Sequence, residues 1–172
     1  RAKNLMITTG QDLTTNKLQY SLLGDPAIAL NQPQMKIVVD SINGQAVGST
    51  PIMLKAASVA RVSGHIENAA RFDGTATAVV LDSKELVTCK ENPSAEADDP
   101  FKFYTRSKVI YSGSDSVVAG RFNLRFAVPV DLNYSSETCE MNFYAVNNDH
   151  TLTAHGYTDR FVLGGSTALT DT

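Results

Sequence analysis

Residues able to do covalent chemistry are few in this chain, namely Cys89, Cys139 and the three histidines His65, His150 and His155. A nucleophilic cysteine needs a thiolate, a base in contact with it and an electropositive surround. Neither cysteine has a histidine near it in sequence, and neither sits on a strand-to-helix turn of the kind that exposes a nucleophile. Both fall in strand-like segments, where a packed thiol or a disulfide is expected. A disulfide would close a loop of roughly fifty residues, worth about 4 kcal/mol in the chain-entropy picture. Free buried thiols are the alternative, and spacing does not choose between the two.

The histidines have ordinary expectations. His65 lies on the polar parity of its strand, His150 belongs to an Asn-Asp turn, and His155 shares parity with Tyr157 and Phe161, which predicts partial burial. Oxygen donors of the kind calcium accepts occur at Asp98-Asp99 and at Asn147-Asn148-Asp149, without the spacing of an EF-hand loop. No CxxC pair, HExxH helix, GxSxG elbow or phosphate-cradling glycine loop is present. No residue is therefore assigned a catalytic, cofactor-binding or metal-binding role, and no cofactor is expected. Tyr104, Tyr111, Tyr134 and Tyr144 are candidates for a sugar- or peptide-binding face, since a planar ring offers much contact area at low entropic cost. The absence of Trp weakens that reading.

The elements that must carry these residues are mostly strands. From Met35 onward apolar residues alternate with polar ones between Gly, Pro, Asn and Asp clusters, which predicts an antiparallel β-sandwich, immunoglobulin-like or jelly-roll-like. Expected strands cover 36–40, followed by a turn at Asn43-Gly44, then 58–67 with Val62, Gly64 and Ile66 inward and Arg61, Ser63, His65 and Glu67 outward. Residues 75–82, apolar on both faces, read as a central strand, with 84–90 extending it. Residues 91–100 read as a surface loop. Further strands are expected at 101–104, 108–111, 116–118, 121–128, 139–146 and 151–163. The clearest alternation places Phe122, Leu124, Phe126 and Val128 on one side and Asn123, Arg125 and Ala127 on the other. Ala119-Gly120 offers a hairpin turn.

Upstream the pattern differs. Ala2, Leu5 and Met6 have helical spacing ended at Thr9-Gly10, and a second short helix from Asp12 or Thr14 would end at Gly24, with Asp25-Pro26 forbidding its continuation. Residues 27–30 could add a short strand. Three divisions are thus expected: a helical remnant at 1–32, a β-sandwich at 33–165, and a tail at 166–172. A first residue other than Met adds the expectation that the chain is a piece of a larger protein.

With 172 residues and a net charge of −3, the chain is long enough for one well-packed domain and lacks the basic field that drives nucleic-acid binding. Direct membrane insertion is not expected either, because no apolar run approaches about 20 residues.

The stretch Leu22-Leu23-Gly24-Asp25-Pro26-Ala27-Ile28-Ala29-Leu30 resembles the LLGDPALRL-type segment that ends the catalytic domain of gingipain-like cysteine peptidases, with Ile28 and Ala29 in place of the usual Leu and Arg. Later segments resemble, in order, the β-sandwich behind the peptidase domain in the PorU family, the signal peptidases and sortases of the type IX secretion system of Bacteroidetes. They are Leu54-Lys55-Ala56, Val62-Ser63-Gly64-His65-Ile66, Phe72-Asp73-Gly74-Thr75 and the run from Ala154-His155-Gly156-Tyr157 to Gly164-Gly165. The resemblance implies a surface-associated parent that removes C-terminal secretion signals and transfers the cargo to a lipopolysaccharide anchor. The family's catalytic His and Cys lie upstream of the matched segment, so Cys89, Cys139 and the histidines do not inherit that role. The implied partners are the upstream peptidase domain, other domains of the parent and other type IX components. A free-standing adhesin or carbohydrate- or protein-binding module is the competing expectation.

Overall fold

The computed structural model describes residues 9–10, 32–89, 100–133 and 135–166. The chain divides into two units, Arg1–Gln32 and Pro33–Thr172, and nearly all described residues belong to the second. The expected helices and the short strand upstream of Asn31, the loop at 91–99 and the tail from 167 onward lie outside the described residues. Gly10 is described and has a φ of +66°, the left-handed conformation that glycine accepts without strain.

Among the described residues the fold is all strand and turn, as the alternation predicts. In chain order the strands are β1 (Met35–Ile42), β2 (Gln45–Ala46), β3 (Ile52–Ala56), β4 (Val59–Ile66), β5 (Gly74–Leu81), β6 (Glu85–Thr88), β7 (Lys102–Thr105), β8 (Val109–Val117), β9 (Arg121–Ala127), β10 (Glu140–Asn147), β11 (Thr153–Thr158) and β12 (Phe161–Ser166). The main sheet runs β8-β5-β10-β11-β1-β4-β9, with β2 attached to β1. Its two end strands, β8 and β9, are consecutive in sequence and pack against each other, so the sheet curls until it is nearly barrel-like. Its strand order singles out neither an immunoglobulin-like nor a jelly-roll-like arrangement.

Two tight turns join consecutive strands, the first β1 to β2 and the second the two end strands β8 and β9. Asn43 and Gly44 have φ of 51° and 78°, and Ala119 and Gly120 have φ of 50° and 72°. Positive φ at both central residues is the signature of the hairpin turn whose twist matches that of its strands. At the second turn a Cβ on Gly120 would lie 2.4 Å from the Ala69 carbonyl oxygen, so only glycine fits there.

The interior is lined by the alternating residues of β1, β4, β5, β9, β10 and β11. Ile37, Val62, Leu124, Val80, Met141 and Ala154 are all buried, and the Phe122 and Phe143 rings meet at 5.4 Å between centroids. Strands β9 and β10 are not neighbours in the sheet, so this ring contact joins its two halves through the core. Strand β1 is the hinge of the sheet. It pairs in parallel with β11 through Met35 and Lys36, then antiparallel with β4 from Ile37 to Ile42, across a bulge between Val39 and Ser41.

Two segments depart from the sequence expectation. Residues 84–90 do not prolong β5; β6 instead pairs with β7 as a separate two-stranded ribbon. Residues 151–163 are not one strand either. β11 pairs with β10, whereas β12 crosses over to pair in parallel with β3, placing Phe161 opposite Ile52 and Leu163 opposite Leu54. All four of these side chains are buried. The crossover at Asp159-Arg160 reverses which parity faces inward, so Phe161 is fully buried while Tyr157 is 66% exposed.

Candidate functional site

Cys89 directly follows β6 and Cys139 directly precedes β10, each one residue outside its strand, and both are free. Cys139 is buried, and burial pushes its thiol up to about 11, while its backbone hydrogen bond with Leu163 acts in the opposite direction. A thiol so raised is almost wholly protonated near neutrality and is a poor nucleophile. Its neighbour Asp82 is fully buried, and the Asp82 carboxylate accepts the backbone N–H groups of Ser83 and Asn133, each at 2.8 Å. Those amides give the buried side-chain oxygens hydrogen-bond partners.

A cavity of about 470 Å³ is lined by Lys84, Tyr104, Arg106, Ser136, Glu137 and Thr138. Arg106 donates to the Thr138 carbonyl at 3.0 Å and lies 3.7 Å from the Glu140 carboxylate. Its guanidinium thus ties the chain before β10 to the chain after β7.

The histidines are not brought together. His65 Nδ1 lies 2.8 Å from Asp40 Oδ1 on the outer face, His150 sits in the turn after β10 with a φ of 55°, and His155 is exposed on β11. The expected partial burial of His155 is overturned by the parity reversal at Asp159-Arg160. Among the described residues no cluster of three His, Cys, Asp or Glu side chains could hold a metal ion. In the turn at 147–149 the Asn147 side-chain oxygen is engaged internally, accepting the N–H groups of Thr151 and Leu152 at 2.9 Å each. Asp98 and Asp99 lie outside the described residues.

The tyrosine candidates also separate. Tyr111 packs on Phe126 at 4.9 Å between ring centroids, and Tyr134 lies outside the described residues. Tyr104 belongs to the β6–β7 ribbon, and Tyr144 is on the outer face of β10. Opposite Tyr144 stands His155, and Asn142, two residues earlier, faces Tyr157, so Tyr144 and Tyr157 are diagonal neighbours on one exposed face.

A different group stands out on the outer face of β1, β4 and β9, and residue types did not flag it in advance. In the β4–β9 register Arg61 faces Arg125, Ser63 faces Asn123 and His65 faces Arg121. Ser41 of β1 faces Ser63, and their hydroxyls are 2.7 Å apart. A depression of about 300 Å³ is lined by Ser41, Gly44, Arg61, Ser63, Asn123 and Arg125, together with Val62 and Leu124. Arg61, Arg121 and Arg125 are all exposed, and their side chains make no hydrogen bond or ion pair with any described residue. The nearby carboxylates are already engaged, Asp40 with His65 and Glu67 with Lys36. The outward parity of Arg61 and Arg125 was readable from alternation. Their opposition depends on strand pairing and register, which alternation does not encode.

No protein-family model matches the sequence, and no curated protein matches it. Among solved structures, a crystal structure of dimeric latent PorU from Porphyromonas gingivalis matches with a TM-score of 0.71 and 28% identity over 99% of this chain. The chain is PorU-like. It spans 16% of the length of that PorU chain, so the likeness is to one segment of a larger protein. Spo0M, a sporulation control protein from Bacillus subtilis, matches at a TM-score of 0.41 and 10% identity, over 76% of this chain and 49% of that one, which is too low to carry an argument. The PorU match agrees with the resemblance carried by Leu22 to Leu30 and by the strand motifs. Among the described residues no helix is long and apolar enough to cross a membrane.

Proposed function

We propose that this chain is a non-catalytic part of a PorU-like sortase that processes type IX secretion cargo outside the cytoplasm, at the cell surface. The carrying observation is the likeness to PorU over 99% of the chain at 28% identity. In this reading residues 1–32 complete a gingipain-like cysteine peptidase domain and residues 33–165 form a β-sandwich, its two curved halves meeting across Phe122 and Phe143. Residues 166–172 lead onward.

The β domain then acts as a rigid spacer and buttress for the peptidase domain, and its partners are that domain, its other neighbours in the parent and other type IX components. The site chemistry supports this role, because the Cys139 thiol is buried and raised to about 11, and no histidine of the described residues is hydrogen-bonded to either thiol.

The test is direct. The purified 172-residue chain should cleave no peptide substrate of a PorU-like parent, while the parent carrying a deletion of residues 33–165 should lose processing of its cargo. Cleavage by the purified chain would overturn the proposal. Specific glycan binding by the chain, lost in Tyr144→Ala or Tyr157→Ala, would replace it with an adhesin-like module.

A further inference from the structure

We propose that the face formed by Arg61, Arg125, Ser63, Asn123 and Ser41 binds a dianionic tetrahedral oxyanion of the phosphate class. Arg61 and Arg125 are direct cross-strand partners in an antiparallel pair, which sets their Cβ atoms about 5 Å apart. Like charges in that position destabilise a sheet, and no described carboxylate relieves them. An anion seated between the two guanidinium groups removes the repulsion and gains charge-assisted hydrogen bonds.

The rest of the depression fits such a guest. The Ser41 and Ser63 hydroxyls and the Asn123 amide line it beside the two arginines, and Arg121 stands one outward position further along β9. Each arginine presents a planar fork able to take a pair of oxygens. A tetrahedral phosphate has enough oxygens to engage both forks, whereas a single carboxylate has only two. The chain as a whole carries a net charge of −3, so this is a local site and not part of a field suited to nucleic acid.

The experiment uses the whole chain at pH 7.5, titrated with inorganic phosphate or glycerol phosphate, with sodium chloride holding ionic strength constant. Amide shifts of Ser63 and Asn123 are followed by NMR. Saturable shifts with phosphate, absent with chloride alone, are expected. Arg61→Gln and Arg125→Gln should each weaken binding about tenfold or more, while Lys84→Gln, between β5 and β6 and outside the lining of the depression, should not change it. Equal affinity for the two probes would identify the free ion as the guest, and tighter binding of glycerol phosphate a phosphate carried on a larger molecule. The proposal is overturned if chloride produces the same shifts, or if both arginine variants bind phosphate as the parent does. Both side chains are exposed, so their removal leaves the core intact, and the unchanged spectrum of the remaining amides verifies the fold of each variant.

Discussion

Arg61 stands directly opposite Arg125 across the β4–β9 pair, two like charges that the sheet holds side by side. Because both are solvent-exposed, the repulsion is screened by salt. Replacing Arg125 by Glu should convert it into an attraction and stabilise the fold by roughly 0.5–1 kcal/mol at low salt. Urea denaturation in 20 mM and 500 mM sodium chloride checks this: the gain should shrink markedly at the higher concentration.

The ring contact between Phe122 and Phe143 joins the two halves of the main sheet. Phe143 is 4% exposed, so truncation leaves a cavity that the surrounding strands cannot fill. Phe143→Ala should cost about 3–5 kcal/mol, and the Phe122→Ala/Phe143→Ala double variant should cost less than the two single losses together. Strict additivity in chemical denaturation would show that the rings do not share this contact.

Gly156 and Gly64 flank β1 from opposite sides. A Cβ at Gly156 would lie 2.2 Å from the Ile37 carbonyl oxygen, and one at Gly64 would lie 2.5 Å from both the Val38 carbonyl oxygen and the Phe122 ring. Backbone must move to admit either. Gly156→Ala and Gly64→Ala should each destabilise by about 1–3 kcal/mol or more, although alanine has the better intrinsic strand preference. By contrast Gly48→Ala, where a Cβ meets nothing within 4 Å, should be close to neutral by thermal denaturation.

Cys139 supplies a pH prediction. Its thiol is raised to about 11 in the folded chain, mainly by burial, while an unfolded cysteine titrates near 8.5. A raised value means that the folded state keeps a proton which the unfolded state gives up. The associated stability is therefore fully present below about pH 8.5 and is lost as pH climbs toward 11, by about 3 kcal/mol in all. Cys139→Ala should flatten the decline of stability across that window. In the same chain a thiol reagent at pH 8 should label the partly exposed Cys89 at once and Cys139 only on unfolding. Rapid native labelling of both would contradict this burial.

How much of this was legible in advance depends on the kind of interaction concerned. The inward faces of β4, β9 and β10 follow from alternation alone, because a half-buried strand must send every second side chain into the core. The turns at Asn43-Gly44 and Ala119-Gly120 were equally visible. Strand β8 was not legible as a single element: Ser112, Gly113, Ser114 and Asp115 interrupt the apolar pattern, yet backbone pairing with Val79, Ala78, Thr77 and Ala76 carries the strand through them. The exposure of His155 was hidden for a related reason. At Asp159-Arg160 the chain leaves β10 for β3 and its inward parity reverses, which alternation alone does not reveal.

The sequence by itself determined that this is a β-rich chain with a well-filled core, where its tight turns fall, and which family its motifs resemble. All of these rest on local alternation and on short runs of residue types. Only the tertiary structure decided that β1 pairs in parallel with β11, that β8 and β9 bring the ends of the main sheet together, that Cys139 is sealed beside Asp82, and that Arg61 meets Arg125. Each of these joins residues distant in sequence. Their partners are set by which buried faces fit together across the core, a condition that no local stretch of the chain contains.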